Sequence, residues 1–453
     1  MRYKEEIHNY VQEHTREIID TLKELVRIPS VRGAAEEHAP FGKECARMLE
    51  YICDLYERNG FKTEFEADDG YLLSYFGKGE KSLGLFAHSD VVPISDDWHF
   101  TDPFKPIEKD DFIIGRGTSD DKAAVVISLY CAKMLKELNI PFDSKLVMFT
   151  GSNEETGMED MANYLKEHTP PDFSLVCDSG FPCCIGNKSG IQFVASSNVS
   201  LKDITKFNGG IDINVITERA VARVGANEYI EKGISRHAAL PEGSVNAGYL
   251  LSRRLSNIPE LCENDRKQMK FVSKVLEKYY GEIFDIESED KYFGKLTCTN
   301  GLIKTENGKV SLYFDLRYPC GLDANEIKRK IEEFFKRNDW NVVFDDEKTG
   351  YIVDEYDEYV NLCLNICTEF CNTEKMKPLY GEGPTYAREL PYAFELGTSL
   401  YGGVHKCMPT GHGEIHQPDE CISVKGLLEA IELTMHILIG CEKILDGGNK
   451  YAI

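Results

Sequence analysis

The chain has 453 residues and a net charge of −24, from 52 basic and 76 acidic residues. Hydrophobic residues make up 42% of it and aromatic residues 11%, values that are typical of a globular protein and exclude a disordered one. The length exceeds what one hydrophobic core usually serves, so two domains are expected. The negative charge opposes nucleic-acid phosphates and anionic lipid surfaces, so neither partner is expected.

The first residues are polar and helix-periodic, without an apolar signal core, and no stretch is apolar enough to span a bilayer. The sequence therefore predicts a cytoplasmic protein. The number of cysteines, fifteen, is odd, and the sequence shows no export signal, so we expect reduced thiols. Cys363, Cys367 and Cys371 follow helical spacing and indicate a buried stripe rather than a metal site. Cys183 and Cys184 are expected to be free thiols in a loop.

Apolar spacing predicts an opening helix from Ile7 to Val26 and a second helix that ends at Asn59-Gly60. A third helix begins near Ala123. Strand-like runs occur at 84–86, 145–149 and 174–177. Strand and helix alternate, which indicates an α/β fold with a mainly parallel sheet flanked by helices.

The pattern changes after residue 186. Residues 187–350 contain the strand candidates FVASSNVS, INVITERAVARV and VSLYFDL and a charged helix from Asn264 to Tyr280. We interpret them as an inserted α+β lid domain, which leaves 1–186 and 351–453 as a discontinuous catalytic domain. In the latter segment, Glu358–Cys371 and Val424–Leu445 are predicted helices, and MKPLYG resembles a strand.

Acidic or histidine-bearing fragments begin where the strand-like runs stop. The fragments are LGLFAHSD, GRGTSDDK, SNEETG, VCDSG and, far downstream, GHGEIHQPDE. Singly, each has a common structural alternative, such as a solvated charge pair, a first-turn helix carboxylate or a turn residue. His405 and His412 are expected to be ordinary loop histidines. Together, the fragments supply these candidate residues: His88, Asp120, Glu154, Glu155, Asp178 and His416.

In an open α/β sheet, ligands bind beyond the carboxyl ends of the strands, so these side chains should converge. Imidazole and carboxylate ligands without thiolate suit Zn²⁺, Mn²⁺ or Co²⁺. Two such ions can share one bridging carboxylate and activate a water for hydrolysis. The sequence therefore predicts a dinuclear hydrolytic site.

The order HSDVVP, GRGTSDDK, SNEETG, a post-strand aspartate and IHQPDE resembles the dinuclear zinc exopeptidase family. That family includes carboxypeptidase G, acetylornithine deacetylase, succinyl-diaminopimelate desuccinylase and carnosinase. The resemblance covers nearly the whole chain. The stretches WHFTDPF, GISRHAALPEGSVNAG, FDLRYP and GPTYAR are most similar to its monomeric, PepV-type dipeptidase branch.

The resemblance implies a metal-ligand set with one shared residue. One metal would be held by His88, Asp120 and Asp178, and the other by Asp120, Glu155 and His416. Zn²⁺ is the implied metal, with Mn²⁺ and Co²⁺ as alternatives. The resemblance also implies a cis peptide bond between Asp120 and Asp121.

Catalytic and substrate-binding roles follow from the same resemblance. Glu154 would be the general base, Asp90 would orient His88, and His237 would stabilise the oxyanion. The implied substrate-binding residues are Arg317, Arg388, Asn214, Thr385 and Tyr386.

The resemblance implies a metallopeptidase that hydrolyses dipeptides with a free C-terminal carboxylate and acts as a monomer. An N-acyl-amino-acid deacylase or desuccinylase of the same family is one alternative. A catalytically silent metal-binding homologue is another.

Overall fold

The computed structural model describes residues 1–95, 97–381, 383–400 and 403–447. The helices, in chain order, are α1 (Lys4–Glu13), α2 (Thr15–Val26), α3 (Lys43–Arg58), α4 (Lys122–Glu137), α5 (Glu159–Glu167), α6 (Ala247–Leu255), α7 (Glu263–Val275), α8 (Ala324–Lys336), α9 (Glu358–Cys371) and α10 (Val424–Leu445). Within these ranges, no helix has the length and apolar character that crossing a membrane requires.

The strands up to the inserted segment are β1 (Lys62–Glu66), β2 (Tyr71–Phe76), β3 (Ser82–His88), β4 (Ile107–Lys109), β5 (Phe112–Ile114), β6 (Lys145–Gly151), β7 (Phe173–Ser179) and β8 (Cys184–Asn187). Those that follow are β9 (Ser189–Ser197), β10 (Ile204–Gly209), β11 (Arg219–Val224), β12 (Asn227–Lys232), β13 (Glu289–Asp290), β14 (Gly294–Lys295), β15 (Thr297–Glu306), β16 (Lys309–Tyr318), β17 (Trp340–Lys348), β18 (Tyr351–Ile352), β19 (Leu379–Gly381), β20 (Ala393–Gly397) and β21 (Cys421–Ser423).

The chain folds into two compact units. The first contains residues 1–186, 353–379 and 385–453, and the second contains residues 187–352 and 380–384. The α/β class predicted from the sequence is confirmed.

The sheet of the first unit runs in the order β1-β2-β6-β3-β7-β20-β8. Its centre is parallel, because β6 pairs with β3, β3 with β7 and β7 with β20 in parallel register. Antiparallel pairs flank this centre, with β1 and β2 on one side and β8 on the other. The sheet is therefore mixed, and the ends of its parallel strands carry His88, Asp178 and the turn with Glu154 and Glu155.

Helices α4 and α10 form the apolar interior beside this sheet. Nearly every residue of α4 is buried, and it packs against β3, α2 and α10. A helix that is buried on nearly every side has no face for solvent and must lie between other elements. The burial of α4 fixes the position of the loop before it, which ends at Asp120 and Asp121.

The second unit is an antiparallel sheet covered by helices. The strand order is β12-β11-β10-β15-β16-β9-β17. Along β9, buried residues alternate with partly exposed ones, as expected when one face of a strand is packed. Phe193 of β9 stacks on Phe314 of β16 at 4.7 Å between ring centroids, within the core of this unit.

Three predicted elements differ from the structure. The opening helix is interrupted at His14, whose Nδ1 lies 2.8 Å from the carbonyl oxygen of Tyr10, and Thr15 donates to Val11 in the same turn. These side chains occupy carbonyls at the end of α1, which is where local polar groups compete with helical hydrogen bonds.

The second difference lies in INVITERAVARV, of which only Arg219–Val224 forms a strand. Its first half instead makes an isolated bridge between Val215 and His237. The third is the charged helix, which ends at Val275 rather than Tyr280. Tyr279 leaves the helical path and accepts a hydrogen bond from the N–H of Cys298 in β15. In both cases a partner distant in sequence redirects the backbone.

All fifteen cysteines are free thiols, in agreement with the sequence prediction. Cys363 and Cys367 are fully buried on α9. Cys183 precedes a strand, but Cys184 lies within β8 and both are buried, so the prediction of a loop pair is wrong for Cys184.

Candidate metal centre

The candidate ligands of the first unit emerge at one edge of the parallel sheet. His88 is the last residue of β3 and is in register with Gly151, the last residue of β6. Asp178 lies near the end of β7, and Glu154 begins a short 3₁₀ turn after β6. Because the parallel strands end together, their following residues meet in one place.

Asp120 lies at the centre of this cluster. Its Oδ1 is 3.0 Å from His88 Nε2, and its Oδ2 is 3.1 Å from His416 Nε2. The same histidine nitrogen is 3.2 Å from Glu155 Oε2. The peptide bond between Asp120 and Asp121 is cis, as the resemblance implies. One carboxylate thus presents each of its oxygens to a different imidazole, which is the arrangement required of a bridging ligand.

Glu154 and Asp178 lie on the His88 side of the cluster. His88 Nε2 is 3.8 Å from Asp178 Oδ2, and ligand atoms of His88, Glu154 and Asp178 lie within 4.8 Å of one another. Burial, followed by the negative charge of Asp178, raises the pKa of Glu154 well above its usual range. Burial, followed by the charge of Asp121, raises the pKa of Asp178 in the same way.

Two carboxylate oxygens of this cluster have no hydrogen-bond partner among the described residues. They are Oε1 of Glu154 and Oε1 of Glu155, and both are buried. An unpaired buried carboxylate oxygen is costly unless a cation or proton compensates it. The donor set of imidazoles and carboxylates therefore fits divalent metal ions.

Burial and nearby carboxylates have opposing effects on the pKa values of the two histidines. Burial lowers the pKa of His88, but its contacts with Asp120 and Asp90 outweigh burial and raise it well above the usual value. Contacts with Asp120 and Glu155 likewise raise the pKa of His416 against the effect of burial. The carboxylates thus attract positive charge to these nitrogens, and metal ions would compete with protons for the same sites.

Asp90 connects the end of β3 to the glutamate turn. Its carboxylate accepts hydrogen bonds from the backbone N–H groups of Glu154 (3.1 Å) and Glu155 (3.2 Å). Nδ1 of His88 is 3.0 Å from the carbonyl oxygen of Asp90 and 3.4 Å from its Oδ1. Asp90 therefore holds His88 and the two glutamates in fixed relation.

Asp121 is bonded to the backbone of a candidate ligand. It is completely buried, and its Oδ2 accepts a hydrogen bond from the backbone N–H of His88 at 3.1 Å. Burial raises its pKa well above the usual range. The second aspartate of the pair thus positions the strand that carries His88.

Glu420 is the residue whose importance the sequence did not reveal. This fully buried carboxylate accepts hydrogen bonds from the N–H groups of Gly117 (3.0 Å), Ser119 (2.9 Å) and Asp120 (3.1 Å). It also pairs with Arg116 at 2.8 Å, and the guanidinium donates to the carbonyl oxygen of His416 at 3.4 Å. Glu420 therefore ties the Asp120 loop to the His416 loop. Glu420 lies in the IHQPDE motif, four residues after His416, and this position in the motif is the signal by which the sequence could have identified it.

The side chains of Thr385 and Tyr386 form hydrogen bonds with residues of the first unit. Thr385 donates to Glu395 at 2.8 Å. Tyr386 is buried and donates to Asp160 at 2.5 Å. A Cβ atom on Gly151 would lie 2.0 Å from the Tyr386 hydroxyl, so only glycine fits at the end of β6.

Arg388 follows in the same short helical turn. Its side chain is 13% exposed, and Nε lies 2.7 Å from Glu389 Oε1. Its Nη1 is buried without a hydrogen-bond partner in the described part of the chain. A buried guanidinium donor of this kind can bind a carboxylate.

The second unit contains two of the predicted substrate residues, Asn214 and Arg317, and the predicted oxyanion donor, His237. Asn214 and His237 lie on neighbouring segments, because the N–H of Ala238 donates to the carbonyl oxygen of Asn214. His237 is exposed. Arg317 lies on β16, and its Nε is 2.9 Å from Asp315 Oδ1.

Comparison with known proteins gives concordant results. A model of peptidase family M20/M25/M40 matches residues 84–439. A provisionally named dipeptidase of Staphylococcus aureus (strain MRSA252) is 26% identical over 469 aligned residues, covering 94% of this chain and 97% of the relative.

Two solved structures share the fold over almost their full lengths. The dipeptidase Dug1p of Saccharomyces cerevisiae has a TM-score of 0.63 at 14% identity and covers 98% of both chains. Human carnosine dipeptidase 1 has a TM-score of 0.62 at 15% identity, covering 98% of this chain and 99% of that one.

Proposed function

Because the chain belongs to peptidase family M20/M25/M40 and is a metal-dependent peptide hydrolase, we propose that it is a dipeptidase with a dinuclear centre. One ion would be held by His88, Asp120 and Asp178, and the other by Asp120, Glu155 and His416. The observation that carries this proposal is the position of Asp120, whose two oxygens face two different histidines. Zn²⁺ is the proposed metal, and Mn²⁺ or Co²⁺ suits the same ligands.

When bound, the two ions would supply a water of lowered pKa and polarise the scissile carbonyl. Glu154 is the proposed proton carrier. Its Oε1 has no hydrogen-bond partner among the described residues, and burial raises its pKa, so it is suited to hold a proton between two steps. It would accept the proton of the attacking water and deliver it to the leaving amine.

The substrate proposal is a dipeptide with a free carboxylate. The named relatives are dipeptidases, and the buried Nη1 of Arg388 offers a donor for that carboxylate. Arg317 would be a second carboxylate donor and His237 an oxyanion donor. The roles of Asn214, Thr385 and Tyr386 stay predictions.

A substrate panel tests this specificity. The purified protein, supplied with Zn²⁺ or Mn²⁺, would be assayed on dipeptides and on N-acetyl and N-succinyl amino acids. We expect turnover of dipeptides with a free C-terminus and little turnover of their C-terminal amides. Hydrolysis of the acylated amino acids alone would replace the dipeptidase proposal with the deacylase alternative.

Glu154→Gln tests the proton carrier. Removal of a positioned general base is expected to lower kcat about 10²- to 10⁴-fold, while the bound metal is retained. Metal analysis and steady-state kinetics on the same preparation measure both quantities. Glu159→Gln is the control, because Glu159 is exposed and pairs with Arg32 on the surface. Full activity of Glu154→Gln would contradict this role.

A further inference from the structure

We propose that the first unit contains an additional divalent-metal site, formed by Asp97, His99 and His412. Ligand atoms of the three residues lie within 4.8 Å of one another. His99 Nε2 is 3.3 Å from Asp97 Oδ1, and His412 Nε2 is 3.5 Å from Asp97 Oδ2. No residue of this group belongs to the cluster around Asp120.

One buried carboxylate positions the residues of this site. Asp419 is completely buried and accepts a hydrogen bond from Nδ1 of His412 at 2.8 Å. It also accepts from the backbone N–H groups of His99 (3.0 Å) and Phe100 (2.9 Å). Asp419 thus fixes the positions of two of the three ligands while its own oxygens are fully engaged.

The contact with Asp419 also determines which nitrogen of His412 is available. A carboxylate that accepts from Nδ1 places a proton there, which leaves the lone pair of the neutral ring on Nε2. That nitrogen faces Asp97. A histidine oriented by a carboxylate through its second nitrogen is the usual arrangement at protein metal sites.

Nε2 of each imidazole lies near a different oxygen of the Asp97 carboxylate. The imidazoles of His99 and His412 stack with centroids 4.5 Å apart and planes at 13°. Two protonated rings in this position would repel each other, and the Nε2 lone pair of a neutral His412 ring faces the Asp97 carboxylate. A divalent ion removes both conflicts, because it accepts all three lone pairs.

Two imidazoles and one carboxylate suit Zn²⁺ and leave further coordination positions for water. Such an ion would connect the loop around His99 to the loop that carries His412, His416 and Glu420. Under this proposal His412 is a metal ligand, whereas the sequence predicts an ordinary loop histidine. The side chain of His412 is only 6% exposed, and Asp419 holds its ring in position.

Metal stoichiometry tests the proposal. Apo protein would be dialysed to equilibrium against a low Zn²⁺ concentration and analysed for zinc per chain. The double variant Asp97→Asn/His99→Gln is expected to bind one zinc fewer than the wild type. His38→Gln is the matched control, since His38 is an exposed histidine 2.9 Å from Asp68, and it should retain the wild-type number. Equal stoichiometry in the double variant would overturn the proposal.

A direct measurement covers the case in which the variants fold poorly. Wild-type crystals equilibrated with Zn²⁺ would be measured at the zinc absorption edge. We expect an anomalous peak about 2.1 Å from Nε2 of both His99 and His412. The absence of a peak there overturns the proposal. Peaks at the Asp120 cluster report separately on the proposed function, so failure of one proposal is distinguishable from failure of the other.

Discussion

The side chain of Asp120 and its backbone are held by different partners. The carboxylate faces His88 and His416, whereas the N–H donates to Glu420. Glu420 also pairs with Arg116, whose guanidinium reaches the carbonyl of His416. At the scale of single residues, the geometry of the proposed ligands therefore depends on Glu420. In the described part of the chain, this carboxylate reaches the proposed ligands only through their backbone groups.

We expect Glu420→Gln to weaken metal binding about 10- to 100-fold, as is typical when a residue that orients metal ligands is lost. The amide nitrogen of the glutamine is itself a donor, and it would face backbone N–H groups that donate to the carboxylate in the wild type. Metal titration and kcat/KM at several metal concentrations measure the effect, and excess metal should restore part of the activity. Glu414→Gln is the control, because Glu414 is exposed in the same loop. Unchanged metal affinity in Glu420→Gln would contradict this positioning role.

Helix α9 shows how local sequence determines an element. Its N-cap, Asp357, accepts hydrogen bonds from the N–H groups of Tyr359 (2.8 Å) and Val360 (3.3 Å). It also accepts from the hydroxyl of Tyr392 at 2.5 Å. The helix packs against α10 in the interior of the first unit, so loss of the cap should be felt beyond the first turn.

Asp357→Ala is expected to destabilise the first unit by about 1–2 kcal/mol, because two N–H groups of the first turn lose their acceptor. Asp357→Asn should retain most of the stability, since asparagine caps a helix nearly as well. The shift of the urea unfolding midpoint measures both variants. Equal destabilisation by alanine and asparagine would show that the charge, rather than the cap, is what matters.

The elements differ in how well the sequence predicts them. Helices α9 and α10 begin and end at their predicted residues, because Asp357 and Ser423 cap their first turns locally. The opening helix and the strand in INVITERAVARV are predicted wrongly, because His14 and Val215 take partners that hydropathy does not encode. Local signals thus suffice where a cap is strong. They fail where a nearby side chain competes for a helical carbonyl, as at His14, or where another segment pairs with the backbone, as at Val215.

At the scale of the whole molecule, the first unit buries several carboxylates in one place. Asp120, Glu154, Glu155 and Asp178 lie close together, and Asp121 is completely buried beside them. The net charge of the chain is −24, so the protein as a whole carries no positive excess to offset this repulsion. Bound cations would relieve this repulsion in the folded state.

Removal of metal should therefore lower the thermal stability of the protein. A ligand present at 100 times its Kd stabilises the folded state by about 2.7 kcal/mol per site. Scanning calorimetry with and without a chelator measures the change in Tm, and re-added Zn²⁺ should reverse it. In Asp120→Asn, which loses the shared ligand, the chelator should have a much smaller effect. A wild-type Tm that does not respond to chelator would argue against metal binding at this cluster.

The sequence by itself determined the α/β class, the principal helices and the candidate ligands, of which His88, Glu155 and Asp178 lie at the ends of parallel strands. It could do so because periodicity and motif order are local properties, and because parallel strands end at one edge. Only the tertiary structure revealed what Glu420, Asp121 and Asp419 do. Each is a buried carboxylate whose partners are backbone N–H groups and, for Asp419 and Glu420 respectively, a histidine ring and the Arg116 guanidinium. The N–H partners of Glu420 and Asp419 lie about 300 residues or more away in sequence. Such hydrogen bonds depend on where the folded backbone brings its donors, and residue types alone do not specify that.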